Sequence, residues 1–315
     1  MSKRFILIFM LLIFLIIIGC SGKTEKAKLK ILVSPKGLVH SFWVTVKAGA
    51  DSAGKEFGAE VIWKGPTQET DIAGQIAIIE DYINKGIDAI VLAACDAQGL
   101  IPVIEKAQDK GIPIITIDSG VDSDLPISFI ATDNILAAKK AAQKLAELIG
   151  EKGKVACIPF VPGAATSNWR EQGFVNEIKK YPAIELLPIR YSQSEVAIGM
   201  AVTEDILTAH PDIKGIFAAN EAGTIGVIQA LKTKNKIGQV KVVGFDAASN
   251  EVKALQAGEI DALIVQDPFK MGYEGVKAVM MTLEGKPVQK RIDTGVYVVT
   301  RENLNQPEIQ RLMRF

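Results

Sequence analysis

From Leu29 onward, short β-branched apolar runs alternate with longer segments whose apolar residues recur at helical spacing. Strands are predicted at 29–34, 59–63, 87–93, 112–117, 127–130, 154–158, 184–190, 213–218, 240–245 and 261–265. Most are apolar on both faces, as expected where helices cover both sides of a sheet. Helices are predicted at 41–57, 70–85, 98–110, 134–149, 168–180, 195–209, 222–234, 249–257 and 269–284. Gly58, Gly86, Gly111, Gly150, Gly258 and Gly285 sit where helix C-caps belong. The alternation implies parallel strands joined by right-handed crossovers.

The two halves of the chain echo each other. The run Ile112 to Ile117 delivers Asp118, and the run Val240 to Phe245 delivers Asp246. In both, an apolar strand places an aspartate at its carboxyl end, where open α/β sheets bind ligands. The 315 residues suit two domains better than one. The expected fold is therefore α/β, with two doubly wound parallel-sheet lobes facing a shared cleft.

Lys+Arg and Asp+Glu are equal at 36 each, which gives no basic face for nucleic acid. Lys3 and Arg4 precede an unbroken apolar run, Phe5 to Ile18, of 14 residues. At about 1.5 Å per residue that is roughly 21 Å, short of the ~30 Å hydrocarbon core, so a signal peptide over 1–19 fits better than a membrane span. The run ends in Ile17-Ile18-Gly19-Cys20, which resembles the lipobox of bacterial lipoproteins. That resemblance implies lipidation of Cys20, a polar tether over 20–28 and an extracytoplasmic body. Cys95 and Cys157 fall in different halves and read as buried, unpaired thiols, and no metal-ligand spacing occurs.

Several ordered motifs run through the body. They are Val33-Ser34-Pro35-Lys36-Gly37, His40-Ser41-Phe42-Trp43, Ile117-Asp118-Ser119 and Ala131-Thr132-Asp133-Asn134. Further on come the segment from Asn168 to Phe174, Phe217-Ala218-Ala219-Asn220, Val243-Gly244-Phe245-Asp246 and Ile264-Val265-Gln266. In this order and spacing they make residues 30–301 resemble the type I periplasmic sugar-binding proteins, the ribose-binding group above all. The resemblance implies a three-strand hinge crossed near Thr132, Gln266 and Asp293. Lobe one would comprise 29–131 with 267–292, and lobe two 132–266 with 293–315.

By position, the resemblance implies sugar contacts from Ser34, His40, Phe42, Trp43, Asp118, Arg170, Asn220, Asp246 and Gln266. The residue chemistry suits a ligand with hydroxyls on its rim and C–H groups on its faces. Phe42 and Trp43 offer apolar faces, the aspartates accept hydroxyl hydrogens, Arg170 donates in a planar fork, and the two amides do both. Arg170 lies in the first turn of a predicted helix, where a cation opposes the macrodipole and so suggests a functional reason. Asn220 and the aspartates also sit where helix caps occur. The chain departs from the ribose pattern at His40, at Ser119 beside Asp118 and at Ser194, and its loop from Ser34 to Phe42 is longer. Lys36 lies in that altered loop and stands as a further contact, in place of the cation missing at Ser119. Lys36 and Trp63-Lys64-Gly65-Pro66 also resemble receptors for the furanosyl signal autoinducer-2.

No nucleophile elbow, P-loop, dinucleotide fingerprint or zinc-protease motif occurs, and the two histidines fall in different lobes, which argues against an enzyme. A cytoplasmic repressor of this fold would need a helix-turn-helix where the export signal stands. The expectation is a monomeric substrate-binding lipoprotein that needs neither cofactor nor metal. It would bind a small sugar or polyol, serve the permease of an ABC importer and sit on the membrane through Cys20. The alternative is a sensor that signals ligand to a membrane kinase or chemoreceptor.

Overall fold

The computed structural model describes residues 28–313. The expected signal peptide, Cys20 and most of the tether lie outside the described residues. The chain begins with β1 (Lys30–Ser34), α1 (Ser41–Phe57), β2 (Glu60–Trp63), α2 (Ile72–Asn84), β3 (Ala89–Leu92), α3 (Ile101–Asp109), β4 (Ile114–Ile117) and β5 (Ser128–Ala131). Next come α4 (Asn134–Leu148), β6 (Gly153–Ile158), α5 (Ala165–Ile178), β7 (Ile184–Leu186), α6 (Val196–Ala209) and β8 (Gly215–Ala218). They are followed by α7 (Glu221–Thr233), β9 (Lys241–Phe245), α8 (Ser249–Ala257) and β10 (Ala262–Val265). The chain closes with α9 (Pro268–Leu283), β11 (Arg291–Asp293), β12 (Tyr297–Val299) and α10 (Pro307–Leu312). Among the described helices, none is long and apolar enough to cross a membrane.

Two six-stranded sheets result, ordered β2-β1-β3-β4-β5-β11 and β7-β6-β8-β9-β10-β12. The pairings are parallel except β10 with β12. The order reverses between β1 and β3 in one sheet and between β6 and β8 in the other, which opens a crevice at each set of strand ends. Apolar residues bury on both faces of each sheet. Ile31, Val33, Val91 and Ile115 pack on one face of the first, and Leu32, Ile90, Leu92 and Ile114 on the other. Cys95 and Cys157 are free and buried, as their apolar surroundings require.

The chain passes between sheets at 132–133, 266–267 and 294–296. Two of these crossings are tied together: the Thr132 and Thr294 hydroxyls lie 3.3 Å apart, and Arg291 donates to the Thr132 carbonyl at 3.0 Å. The hydrophobic pattern did not reveal β11, β12 or α10, since three-residue strands and a six-residue helix carry too few periods to register. It also overran β7, which ends at Leu186 two residues before Pro188.

Helices α1 and α9 pack together on the first sheet through Gly49 and Gly272. A Cβ at Gly49 would collide with the Phe269 carbonyl, and one at Gly272 with the Val46 carbonyl. The expected result of Gly272→Ala is a loss of about 1–3 kcal/mol in denaturant unfolding, because the obstacle is backbone that cannot step aside. An unchanged midpoint would contradict that packing.

Candidate functional site

The site grows from the carboxyl ends of the two sheets. Asp118 follows β4 and Asp246 follows β9, the equivalent strand of the second sheet. Each still donates its backbone N–H to the neighbouring strand, Asp118 to Ile130 at 3.0 Å and Asp246 to Ile264 at 2.9 Å. Each then enters the left-handed region, with φ of 54° and 82°. Aspartate tolerates that region better than most residues, and the turn sends both side chains into one cleft. The repeat seen in the sequence is thus a repeat of backbone geometry.

From the second lobe, Arg170 donates from Nε to Asn134 Oδ1 at 2.8 Å and from Nη1 to the Ala219 carbonyl at 2.7 Å. Its guanidinium carbon lies 3.6 Å from the centre of the Phe245 ring. Burial pulls its pKa down, opposed by Asp246, Asp118 and Glu69. Helix α5 begins at Ala165, so Arg170 is its sixth residue and not in the first turn expected from the sequence. The argument from macrodipole repulsion therefore falls; the guanidinium is held by an amide, a carbonyl and a ring face.

Asn220 is the N-cap of α7, its Oδ1 accepting from the Gly223 amide at 3.0 Å, while its Nδ2 donates to Ser194 Oγ at 2.8 Å. The capping and cleft-lining readings of this residue hold together. Asp246 accepts from Gln266 Nε2 at 2.7 Å and from the Glu221 amide at 3.1 Å. Burial still pushes its carboxyl up to about 6, against the pull of Arg170 and Gln266. Gln266 Oε1 is buried with no hydrogen-bond partner.

From the first lobe, Lys36 sits 3.0 Å from Asp118 Oδ2 and donates to Thr166 Oγ1 across the cleft at 3.0 Å. Beyond that ion pair, Asp118 Oδ2 has no donor. Burial works to lower the Lys36 pKa, but Asp118 and Glu69 outweigh it and the pKa ends raised. Trp43 donates its indole N–H to Glu69 Oε1 at 2.8 Å and meets Phe42 edge-on at 4.9 Å. His40 lies 3.6 Å from the same Glu69 oxygen; burial lowers its pKa, but Glu69, Glu221 and Asp246 bring it above the ordinary value.

The structure brings nine of the ten sequence-derived candidates into one cleft: Lys36, His40, Phe42, Trp43, Asp118, Arg170, Asn220, Asp246 and Gln266. Ser34 is the exception. It is fully buried under Gln75, whose Nε2 lies 3.5 Å from its hydroxyl, and it takes no part in the wall. Three wall residues went unread in the sequence: Glu69, Phe160 and Glu221. Phe160 closes the far side from the end of β6, with Lys36 Nζ 5.1 Å from its ring centre, and the strand-end rule could have found it. Glu221 accepts from the backbone amides of Ser41 and Phe42, both at 3.0 Å, so a second-lobe carboxylate caps α1 of the first lobe. In the sequence it reads as an ordinary acid in the first turn of its own helix. Glu69 lies in a polar loop with no pattern to mark it. Among the described residues, no group of His, Cys, Asp and Glu is arranged to hold a metal ion.

Residues 31–287 match the periplasmic binding protein domain family. The chain belongs to that family. This periplasmic binding protein is 28% identical over 282 residues to the ribose import binding protein of Bacillus subtilis, covering 90% of each chain. It is 30% identical over 253 residues to the D-allose-binding periplasmic protein of Escherichia coli, covering 78% of this chain and 81% of that one. Its structure resembles a carbohydrate transporter solute binding protein from Agrobacterium radiobacter in complex with D-arabinose (TM-score 0.89, 35% identity, 92% of this chain and 100% of that one). It also resembles an ABC transporter solute binding protein from Agrobacterium vitis with bound D-fucose (TM-score 0.87, 36% identity, 89% and 98%). The family binds and delivers small solutes and is not catalytic, so the carboxylates of the cleft are read as recognition groups.

Proposed function

We propose that this protein is the receptor of an ABC-type importer, capturing a small neutral sugar or polyol by closure of its two lobes. The observation that carries the reading is the meeting of Asp118, Arg170, Asn220, Asp246 and Gln266 around Phe42, Trp43 and Phe160 in one cleft. The unpartnered Gln266 Oε1 and the Asp118 carboxylate, which is ion-paired with Lys36, suit ligand hydroxyls, and the aromatic rings suit C–H faces. The cleft wall carries four carboxylates, Glu69, Asp118, Glu221 and Asp246, against Lys36, Arg170 and the histidine His40. A ligand carrying phosphate or carboxylate would add an anion to a surplus of them. The arabinose, fucose, ribose and allose receptors similar to this chain bind uncharged sugars, in keeping with that balance.

His40, Phe42, Trp43 and Lys36 would contact the ligand from the first lobe, and Arg170, Asn220, Asp246 and Gln266 from the second. The crossings at 132–133, 266–267 and 294–296 would act as the hinge. A lipid on Cys20 would hold a monomeric body outside the cytoplasmic membrane beside its permease. A thermal-shift screen over pentoses, hexoses, polyols and autoinducer-2, with sugar phosphates alongside, tests the reading. A matching ligand at 100 times its Kd adds about 2.7 kcal/mol to stability. Small-angle scattering should show compaction with that ligand. Stabilisation by sugar phosphates alone, or by none of the panel, would sink the proposal.

A further inference from the structure

Glu69 has its carboxylate buried, 7% exposed, at the meeting point of the two lobes. One oxygen takes the Trp43 indole N–H at 2.8 Å and lies 3.6 Å from His40 Nδ1; the other takes the Ser194 hydroxyl at 2.9 Å. Ser194 in turn accepts from Asn220 Nδ2 at 2.8 Å. A single first-lobe carboxylate therefore touches two wall residues of its own lobe and, through one hydroxyl, an amide of the other.

The loop bearing Ser194 is bent to make this contact. Gln193 and Ser194 are consecutive non-glycine residues in the left-handed region, with φ of 54° and 59°. That conformation is costly for such residues and persists where the surroundings over-determine it. The Gln193 amide is pinned to the Phe160 carbonyl at 2.8 Å, and the Ser192 amide to the Pro159 carbonyl at 2.9 Å. Lys36 and His40, with the Trp43 bond, hold Glu69 well below the usual carboxylate range despite its burial, so it stays an acceptor on both oxygens.

We propose that Glu69 is a positioning residue of the cleft, fixing Trp43 and His40 directly and Asn220 through Ser194. The consequence is a fixed hydrogen-bond polarity. Glu69 can only accept, so Ser194 must donate to it and accept from Asn220. The Asn220 oxygen accepts from the Gly223 amide and one Nδ2 hydrogen goes to Ser194, so the second Nδ2 hydrogen is left to offer. Asn220 thus presents a donor, while Gln266 Oε1 and Asp118 present acceptors, and a ligand oxygen facing Asn220 must accept. This inference rests on the receptor reading above.

The test uses Glu69→Gln and Ser194→Ala in the full chain. Glutamine keeps the size but sets an N–H against either the Trp43 N–H or the Ser194 hydroxyl. Affinity for the sugar that best stabilises the wild type should fall about 10- to 100-fold in each variant, the usual consequence of losing a charge-assisted bond. The double variant should bind no worse than the weaker single one, because both break the same chain of bonds. Discrimination against epimers altered at the hydroxyl facing Asn220 should also collapse. The chain has three tryptophans, so the Trp43 indole N–H signal can be assigned by its loss in Trp43→Phe and followed without ligand. It should shift upfield in Glu69→Gln.

Additive affinity losses in the double variant, or an unmoved Trp43 signal, would overturn the inference. If no sugar binds the wild type, the receptor reading falls, and the indole signal still decides whether Glu69 holds Trp43.

Discussion

Asp246→Asn is expected to raise the melting temperature of the unliganded protein at pH 7.5 while weakening ligand capture about 100-fold or more. Burial pushes the Asp246 carboxyl from its ordinary 3.8 to about 6. The folded protein therefore holds this proton more tightly than the unfolded chain does. Between pH 4 and 6 the unfolded state binds fewer protons, so stability falls as pH rises, the reverse of a salt-bridged aspartate. Above 6 the full penalty is present, roughly 3 kcal/mol at about 1.4 kcal/mol per pH unit. Asparagine removes the charge and tolerates the φ of 82°, although it cannot accept from both Gln266 and the Glu221 amide. The net gain should be a few degrees by calorimetry, level above pH 6 and gone below pH 4. A variant no more stable than wild type at pH 7.5 would show that the site stores no such strain. The affinity loss follows from the proposed role of Asp246, in which its carboxylate would accept from two ligand hydroxyls at about 1.5–3 kcal/mol each.

Lys36→Met carries the opposite sign. It leaves Asp118 buried without its cation, 3% exposed and with no other donor to Oδ2. Removing one partner of a buried pair costs about 3–5 kcal/mol. For a protein of this size that is a fall in Tm on the order of 10 °C. Because the Lys36 pKa stands above its ordinary 10.5, the stabilisation lasts through the neutral range and is lost only as pH rises through the folded pKa. Lys36→Met with Asp118→Asn should recover most of the loss, since both charges leave together. Calorimetry of the single and double variants checks this. Equal destabilisation in both would mean that Lys36 contributes through packing against Trp43 and Phe160 instead.

Much of this architecture was legible in the sequence because parallel strands buried on both faces leave unmistakable apolar runs. Asp118 and Asp246 stood out because each ended such a run. Arg170 lines the cleft, but the macrodipole reason for it fails, since the helix start depends on Ala164 and Ala165, which carry no capping signal. Ser34 ends a strand, as Asp118 nearly does, yet it keeps the extended geometry of β1 and is buried beneath Gln75. Glu69 and Glu221 were invisible for another reason. Their roles are bonds between lobes, to Ser194 and to the start of α1, and no local pattern encodes a partner 125 or 180 residues away.

The cap that Glu221 places on α1 makes the two halves of the molecule unequal when they part. Helix α7 carries its own cap in Asn220 and loses nothing when the halves separate. Helix α1 has no side-chain cap of its own, because His40 makes no such bond. Its first two amides must turn to water as Glu221 withdraws, and Phe42 sits on that loosened turn. If the lobes part at the hinge, two α1 amides lose their acceptor while the first turn of α7 keeps its own.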